Sequence, residues 1–231
     1  RDMAFDMYEG EVTVLLGHNG AGKTTCMNVL TGMLSADGGD ATIYGHSVTH
    51  DLAAVRREIS LCPQHNILFQ DMTCLEHLEF FAALKGQNAG QRRASAMEML
   101  AAVDLADKAD VFADNLSGGQ KRKLSVAIAF VGGNRMVFLD EPTAGMDVAA
   151  RRHTWDLIKK MSAKHTIVLT THYMDEADLL GSQIAIMSAG RLKCSGSSMF
   201  LKGRLGVGYT LTVACTSAEA AYDVVELVKS N

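Results

Sequence analysis

The sequence predicts an α/β fold in which a mostly parallel sheet carries helices on both faces. Short apolar runs, such as Val12–Leu16, alternate along the chain with segments whose apolar residues recur at helical spacing. The runs are continuously apolar, which is typical of strands buried on both faces of a parallel sheet. Pro63 and Pro142 each follow a predicted strand end, so neither proline interrupts an element.

Seven strands and seven helices are predicted before residue 207. The helix after Thr73 has the clearest start signal, because Thr73 and Glu76 can form a capping box ahead of an apolar face. The strands follow from the apolar runs at residues 12–16, 41–44, 59–62, 136–139, 166–170, 183–187 and 192–194. The helices follow from helical spacing at residues 23–31, 51–57, 74–85, 91–103, 119–131, 149–163 and 174–180.

Length and composition are those of an ordinary globular protein. The 231 residues are 48% hydrophobic and 21% charged, enough for one large domain with an appendage. A net charge of −4 with scattered basic residues argues against a nucleic-acid partner. Five cysteines without a C-x-x-C pair argue against a disulfide framework and a zinc site, and favour a reducing compartment. No apolar run approaches the ~18 residues of a membrane helix, and the start at Arg1 suggests a piece of a longer protein.

The segment GHNGAGKTT at residues 17–25, called the phosphate loop below, matches every defined position of the pattern G-x-x-x-x-G-K-[ST]. Small residues let backbone N–H groups curl around phosphate oxygens, and the next helix presents its N-terminal N–H groups to the same anion. Lys23 adds a charge for the β- and γ-phosphates, and Thr24 a hydroxyl for Mg²⁺. The predicted nucleotide-binding residues are Gly17, Asn19, Gly20, Ala21, Gly22, Lys23, Thr24 and Thr25.

Two acids end the apolar run at 136–139. Asp140 lies at the predicted carboxyl end of the strand, where it can reach the Mg²⁺ that Thr24 contacts. Glu141 is then placed to orient or deprotonate a water that attacks the γ-phosphate.

The segment LSGGQ at residues 116–120 opens another predicted helix. Ser117 is a candidate N-cap, and its hydroxyl and the glycine N–H groups form a second anion-binding helix end. One nucleotide needs only one phosphate loop, so we expect this second helix end to serve a nucleotide held elsewhere.

Together these motifs resemble the nucleotide-binding domain of an ABC transporter, a P-loop NTPase, over residues 1 to about 215. In this resemblance residues 116–120 are the signature segment, Gln64 belongs to CPQHN, His172 follows a Thr-rich strand end, and Asp147 ends a D-loop-like AGMD. Residues 62–69, 171–178 and 196–202 resemble the eukaryotic A subfamily of lipid-moving ABC proteins, its first ATPase domain more than its second.

The resemblance implies how the domain is organised. It implies an ATPase domain at residues 1–206, with an antiparallel β edge region and a helical subdomain at about 66–130 that carries the signature segment. Residues 207–231, where a strand and then a helix are predicted, would begin a truncated C-terminal regulatory module.

The resemblance also implies a mechanism. Two such domains pair head to tail around two ATP molecules, each held by the phosphate loop of one domain and by the signature residues of the other. Glu141, His172 and Gln64 would be catalytic, with His172 on the γ-phosphate. The Mg²⁺ ligands would be Thr24, Gln64 and Asp140, and the partner's ATP would contact Leu116, Ser117, Gly118, Gly119 and Gln120.

The implied setting is the cytoplasmic face of a membrane. Transmembrane domains would bind the groove near Gln64, and contact with the membrane would occur only through segments outside this chain. Two alternatives stay open, an ATPase subunit of a bacterial-type drug exporter and a soluble ABC ATPase not linked to transport. Sustained heptads and C-x-x-C pairs are absent between Gln64 and the signature segment, which disfavours the soluble alternative.

An aromatic residue upstream of the loop stacks on adenine in the family. Phe5 and Tyr8 are the aromatic residues before the loop here. Phe5 is expected in the core and Tyr8 in a turn, so we expect the stacking residue to precede Arg1.

Overall fold

The computed structural model describes residues 3–206 and is built around one mixed sheet. The strands are β1 Val12–Leu16, β2 Thr42–Ile43, β3 His46–Ser47, β4 Ile59–Cys62, β5 Met136–Asp140, β6 Thr166–Thr171, β7 Gln183–Ser188 and β8 Arg191–Gly196. The helices are α1 Lys23–Leu30, α2 Leu52–Glu58, α3 Cys74–Leu84, α4 Ala89–Ala102, α5 Gly118–Phe130, α6 Val148–Ser162, α7 Met174–Leu180 and α8 Ser198–Leu205. Short 3₁₀ turns cover Ala106–Lys108 and Ala113–Asn115.

The main sheet has six strands in the order β4-β5-β6-β1-β7-β8. Its first five strands are parallel, and β8 runs antiparallel to β7. A separate antiparallel pair is formed by β2 and β3. The predicted mostly parallel sheet with an antiparallel β edge region is therefore confirmed.

The sheet separates two apolar cores. Every residue of β1, β5 and β6 is buried, as their continuous apolar sequences predict. Successive residues of a strand point to opposite faces, so Val14 joins one core and Leu15 the other. Val137 and Phe138 are divided between the two cores in the same way.

Three helices, α3, α4 and α5, pack together beside the sheet. The predicted capping box at Thr73 and Glu76 is present at the start of α3. Lys85 follows α3 and secures the far end of α5, because its ammonium donates hydrogen bonds of 2.7–3.0 Å to the carbonyls of Ile128, Ala129 and Val131. Burial lowers the pKa of Lys85 to about 7, whereas the carbonyl end of a helix favours the ammonium form. The contact ties α5 to α3.

The structure differs from the predicted elements in a few places. The predicted strand at 41–44 is shorter, and its partner β3 was not predicted because two-residue strands leave no periodic pattern. Helix α8 was also missed, although Ser197 caps it by accepting a hydrogen bond from the N–H of Phe200. Its sequence lacks a clear apolar stripe. The strand and helix predicted within 207–231 lie outside the described residues.

Several smaller expectations are also resolved. Cys26, Cys62, Cys74 and Cys194 are free, and Cys62 and Cys74 are buried, whereas Cys215 lies outside the described range.

Tyr8 is exposed and its carbonyl accepts from the N–H of Glu11 in a turn, as predicted. Phe5 packs against the core. Among residues 3–206, no helix has the length and apolar character to cross a membrane.

His77 makes the stability of the α3 region depend on pH. Its imidazole is fully buried, with Nε2 2.9 Å from the N–H of Phe69 and Nδ1 2.8 Å from the carbonyl of Thr73. An N–H donor at Nε2 and a carbonyl at Nδ1 require the neutral ring with its proton on Nδ1. Burial accordingly lowers the pKa of His77 below its usual 6.5.

We predict that this histidine costs stability in acid. Below about pH 6.5 the unfolded chain binds a proton that the folded chain rejects, so the free energy of unfolding falls as pH falls through that range. In urea unfolding at pH 7.5 and 5.5, His77→Gln should lose less stability between the two pH values than wild type. His153→Gln, at an exposed position of α6, is the control and should behave as wild type. Equal losses in wild type and His77→Gln would contradict the prediction.

Candidate active site

The phosphate loop joins β1 to α1 at the carboxyl edge of the sheet. Its glycines are required locally. A Cβ on Gly17 would lie 2.5 Å from the carbonyl oxygen of Met187, and Gly22 has φ +98°, a backbone conformation that side chains disfavour. No side chain caps the start of α1, so its first N–H groups are available to an anion. Asn19, Gly20 and Thr25 are exposed along the loop, and Ala21 is buried beneath it.

Lys23 lies inside the loop. Only 5% of the residue is exposed. Its ammonium donates to the carbonyls of Gly17 at 2.8 Å and His18 at 3.3 Å, and lies 3.7 Å from Oε1 of Glu141. The positive charge is therefore held where the loop encloses it, next to the carboxylate at the end of β5.

At the end of β5, the side chain of Asp140 is hydrogen-bonded to residues of α1 and β6. Oδ1 of this buried carboxylate accepts hydrogen bonds from the hydroxyls of Thr24, at 3.2 Å, and of Thr170. Carboxylate and hydroxyl oxygens are the ligands that Mg²⁺ prefers. Thr24 and Asp140 thus bring a suitable donor set together beside the phosphate loop.

Glu141 has the least favourable backbone in the site. Its φ of +47° lies in the left-handed region, where a residue with a Cβ costs about 1–2 kcal/mol. Its N–H donates to Oγ1 of Thr170 at 2.9 Å. The conformation turns the carboxylate toward Lys23, with Oε1 3.3 Å from Nδ1 of His172 and Oε2 3.5 Å from Nε2 of Gln64.

Four of the predicted residues therefore converge on one point. Lys23, Gln64 and His172 all surround the carboxylate of Glu141, although they come from loops that are far apart in the sequence. Only 11% of the Glu141 side chain is exposed, and Lys23 meets it away from bulk water, whereas Gln64 approaches from the exposed side of the site. A carboxylate held in this way can accept a proton from a water bound beside the loop.

The signature segment is separate from this cluster. Ser117 caps α5 as predicted, since its Oγ accepts from the N–H of Gln120 while Oε1 of Gln120 accepts from the N–H of Ser117. Within residues 3–206, the hydrogen bonds of this segment stay in its own turn and helix. Leu116 is buried, and Ser117 and Gly118 are exposed.

Asp147 has a local structural contact. Its Oδ1 accepts from the N–H of Ala150 at 2.9 Å and caps α6. The segment before it is fixed by Glu176, a fully buried carboxylate that accepts from the hydroxyl of Thr143 and the indole N–H of Trp155. The turn that follows Glu141 is therefore anchored to α6 and α7.

Sequence reasoning missed two residues of the site. Thr170 donates to Asp140 and accepts from Glu141, and Arg122 donates to the carbonyls of both acids. The signal for Thr170 is a polar residue at the end of an otherwise apolar strand. The signal for Arg122 is a basic residue within α5, a helix that buries one whole side against the sheet. Neither pattern is specific on its own.

Comparison with known proteins agrees with the resemblance found in the sequence. Residues 1–144 match the family described as ABC transporter. The chain is 49% identical, over 92% of its length, to phospholipid-transporting ATPase ABCA3 of Mus musculus. It is 51% identical, over 94% of its length, to ATP-binding cassette sub-family A member 2 of Rattus norvegicus. It spans only 12% and 9% of the length of these two relatives.

Solved structures share the fold. An ATP-binding subunit of an ABC transporter superimposes with a TM-score of 0.82 at 26% identity, covering 98% of this chain and 92% of that one. A dimeric, post-hydrolysis state of the ATP-binding cassette MJ0796 with ADP and Pi has a TM-score of 0.78 at 25% identity, covering 84% and 88%. The predicted fold class, a P-loop NTPase of ABC type, is confirmed.

The left-handed backbone at Glu141 leads to a prediction about stability. Glycine adopts positive φ without a Cβ clash, so Glu141→Gly should be more stable than Glu141→Ala by about 1 kcal/mol. Both variants lack the carboxylate, and the comparison therefore isolates the backbone. Urea unfolding measures the difference.

Asp104 provides a matched control. It has φ +57° and lies between α4 and the first 3₁₀ turn, and Asp104→Gly should likewise exceed Asp104→Ala in stability. If the alanine variant equals the glycine variant at Glu141 but not at Asp104, the strained conformation assigned to Glu141 is wrong.

Proposed function

Because this chain is an ATPase domain that belongs to the ABC transporter family, we propose that it hydrolyses ATP to move a phospholipid across or between membrane leaflets. The observation that carries the proposal is the convergence of Lys23, Gln64 and His172 on the Glu141 carboxylate beside the phosphate loop. The coupling to lipid rests on relatives named phospholipid-transporting ATPases, of which this chain spans about a tenth.

ATP is bound through its phosphates. The loop N–H groups and the free start of α1 receive phosphate oxygens, and Lys23 supplies the positive charge. Thr24 and Asp140 would hold Mg²⁺, with Gln64 as a third ligand. When bound, Mg²⁺ neutralises charge on the β- and γ-phosphate oxygens.

Glu141 acts on the attacking water. Thr170 fixes its N–H, and Lys23 and Gln64 hold its carboxylate, so a proton acceptor is oriented before the nucleotide arrives. His172 lies on the same carboxylate and is assigned to the γ-phosphate, where an imidazole N–H stabilises developing charge.

The signature segment serves the ATP of a second ATPase domain. Gly118 and Gly119 have open space where a Cβ would lie, and neither has a positive φ. Among the described residues, nothing therefore requires glycine at these two positions, whereas close approach of a partner's phosphate does. The dimeric state of a structural relative supports head-to-tail pairing. Asp147, in the D-loop-like segment, is assigned to the same paired surface.

The surface after Gln64 is suited to transmembrane domains. Ile67 is 70% exposed and Phe69 is 50% exposed, close in sequence to a residue of the active site. Apolar side chains on the surface beside a site are typical of a protein contact. In this proposal the domain lies against transmembrane domains on the cytoplasmic face of a membrane.

The proposal includes two parts of the chain, an ATPase domain and the start of a second module. The ATPase domain covers residues 1–206, with a helical subdomain at about 66–130, and residues 207–231 begin a regulatory module. The identity of 49–51% to sub-family A relatives supports the proposed function over that of a drug exporter or a soluble ABC ATPase.

The test is Glu141→Gln in the longest native polypeptide that contains this domain, reconstituted in phospholipid vesicles. The amide keeps the shape of the side chain but accepts no proton, so turnover should fall about 10²-fold or more while ATP affinity changes little. ATP-driven movement of a fluorescent phospholipid between leaflets should disappear together with hydrolysis.

Two results would contradict parts of the proposal separately. Turnover equal to wild type in Glu141→Gln would remove the assigned role of Glu141. A wild-type protein that hydrolyses ATP without moving phospholipid would leave the ATPase assignment in place and overturn the lipid substrate. Glu9→Gln, an exposed carboxylate paired with Arg135, is the control and should change neither activity.

A further inference from the structure

We propose that Arg122 is a positioning residue that holds Gln64 and Glu141 in a fixed relation and ties both to the signature end of α5. Arg122 follows Ser117 by five positions on α5 and is 2% exposed. The inference rests on the proposed function, because it assigns Arg122 a role in the hydrolysis of ATP by Glu141.

All the N–H donors of Arg122 point at two loops of the active site. Nη1 donates to the carbonyls of Pro63 at 2.5 Å and Gln64 at 3.1 Å, and lies 3.4 Å from Oδ1 of Asn66. A guanidinium has five N–H donors, and this arrangement engages every nitrogen. The remaining two nitrogens bond to the end of β5, where Nε donates to the carbonyl of Pro142 at 3.1 Å and Nη2 to those of Asp140 at 2.5 Å and Glu141 at 2.9 Å.

A buried arginine normally pairs with a carboxylate, but Arg122 has no ion pair in the part of the chain described here. Five of its six acceptors are backbone carbonyls, and all six belong to residues 63–66 and 140–142. A guanidinium with a purely structural role in the core would not need acceptors from both of these loops. The pattern is that of a clamp between them.

The clamp acts directly on the strained residue. The N–H of Glu141 is held by Thr170, and its carbonyl by Arg122 at 2.9 Å and by the N–H of Ala144 at 3.1 Å, so both of its peptide groups are fixed. The left-handed backbone at φ +47° persists because it is held from both sides. Arg122 holds the backbone carbonyl of Gln64 at the same time, and the side-chain amide of Gln64 lies 3.5 Å from the Glu141 carboxylate.

The helix that carries Arg122 is anchored at both ends. Its start is the capped Ser117, and its end is held by Lys85 through three carbonyls. A rigid helix links the surface assigned to a partner's ATP with the clamp on this chain's own Glu141. Through Arg122, the position of the signature segment therefore affects the geometry of hydrolysis in the site of the same chain.

The experiment compares Arg122→Lys and Arg122→Met with Lys123→Met, measured as steady-state ATP hydrolysis in the longest native polypeptide. Lysine keeps a charge but cannot bridge both loops, so both Arg122 variants should lower kcat by about 10- to 100-fold, less than the full 10²–10⁴ that a positioned base contributes, because Glu141 itself is still present. The KM for ATP should change less than about threefold, since the phosphate loop is untouched. Lys123, which pairs with Asp104 at 3.2 Å, is the control and should leave both constants unchanged.

A double-mutant comparison separates positioning from general damage. If Arg122 acts through Glu141, Arg122→Met should reduce the residual turnover of Glu141→Gln, followed with radiolabelled ATP, by less than about twofold. An equal loss in both backgrounds, or a wild-type kcat in Arg122→Lys, overturns the proposal. If Arg122→Met does not fold, Arg122→Lys carries the test, and failure of both to fold assigns Arg122 to the fold alone. Wild-type turnover in Glu141→Gln by itself would overturn the proposed function independently of Arg122.

Discussion

The register of three parallel strands is the constraint on which the site depends. In the pairing of β5, β6 and β1, Asp140 lies opposite Thr170 and Leu16 lies opposite Thr171. This register puts the phosphate loop, the two acids and His172 at one edge of the sheet. Thr170 can then donate to Asp140 and accept from Glu141 with a single hydroxyl. A slip of one residue would turn that hydroxyl to the other face and separate all three groups.

Two buried positive charges are the second feature on which the site depends. Lys23 and Arg122 are 5% and 2% exposed, and they contact, respectively, the side chain and the backbone of Glu141. In so little water, Lys23 orients the carboxylate and Arg122 holds the backbone of Glu141, and both need little rearrangement when substrate binds. The cost is a strained backbone at Glu141, which Thr170 and Arg122 offset.

Much of this arrangement could be predicted from the sequence, because its motifs follow the ends of apolar strands. The phosphate loop after β1 and the acids at the end of β5 are of this kind, and parallel strands bring their carboxyl ends together. The cap formed by Ser117 was also predictable, since a local motif specifies it.

The rest depends on contacts between distant segments. Arg122 meets residues 63–66 and 140–142 only after α5 has packed, and no spacing in the sequence indicates those carbonyls. In the sequence, Thr170 is an ordinary polar residue at the end of a strand. Only the pairing of β5 with β6 shows that it lies opposite Asp140. Helix α8 was missed because its start is specified by the Ser197 cap and not by an apolar stripe.

The central claim is that the phosphate loop and the signature segment of one chain serve different ATP molecules. Mixing Ser117→Arg chains with Lys23→Ala chains tests it directly, because only a mixed pair contains one intact phosphate loop facing one intact signature segment. Each variant alone should hydrolyse ATP far more slowly than wild type. An equal mixture should recover roughly a quarter of the wild-type rate, as half of the pairs are mixed and each has one complete site. A mixture that only averages the two separate rates would contradict the claim.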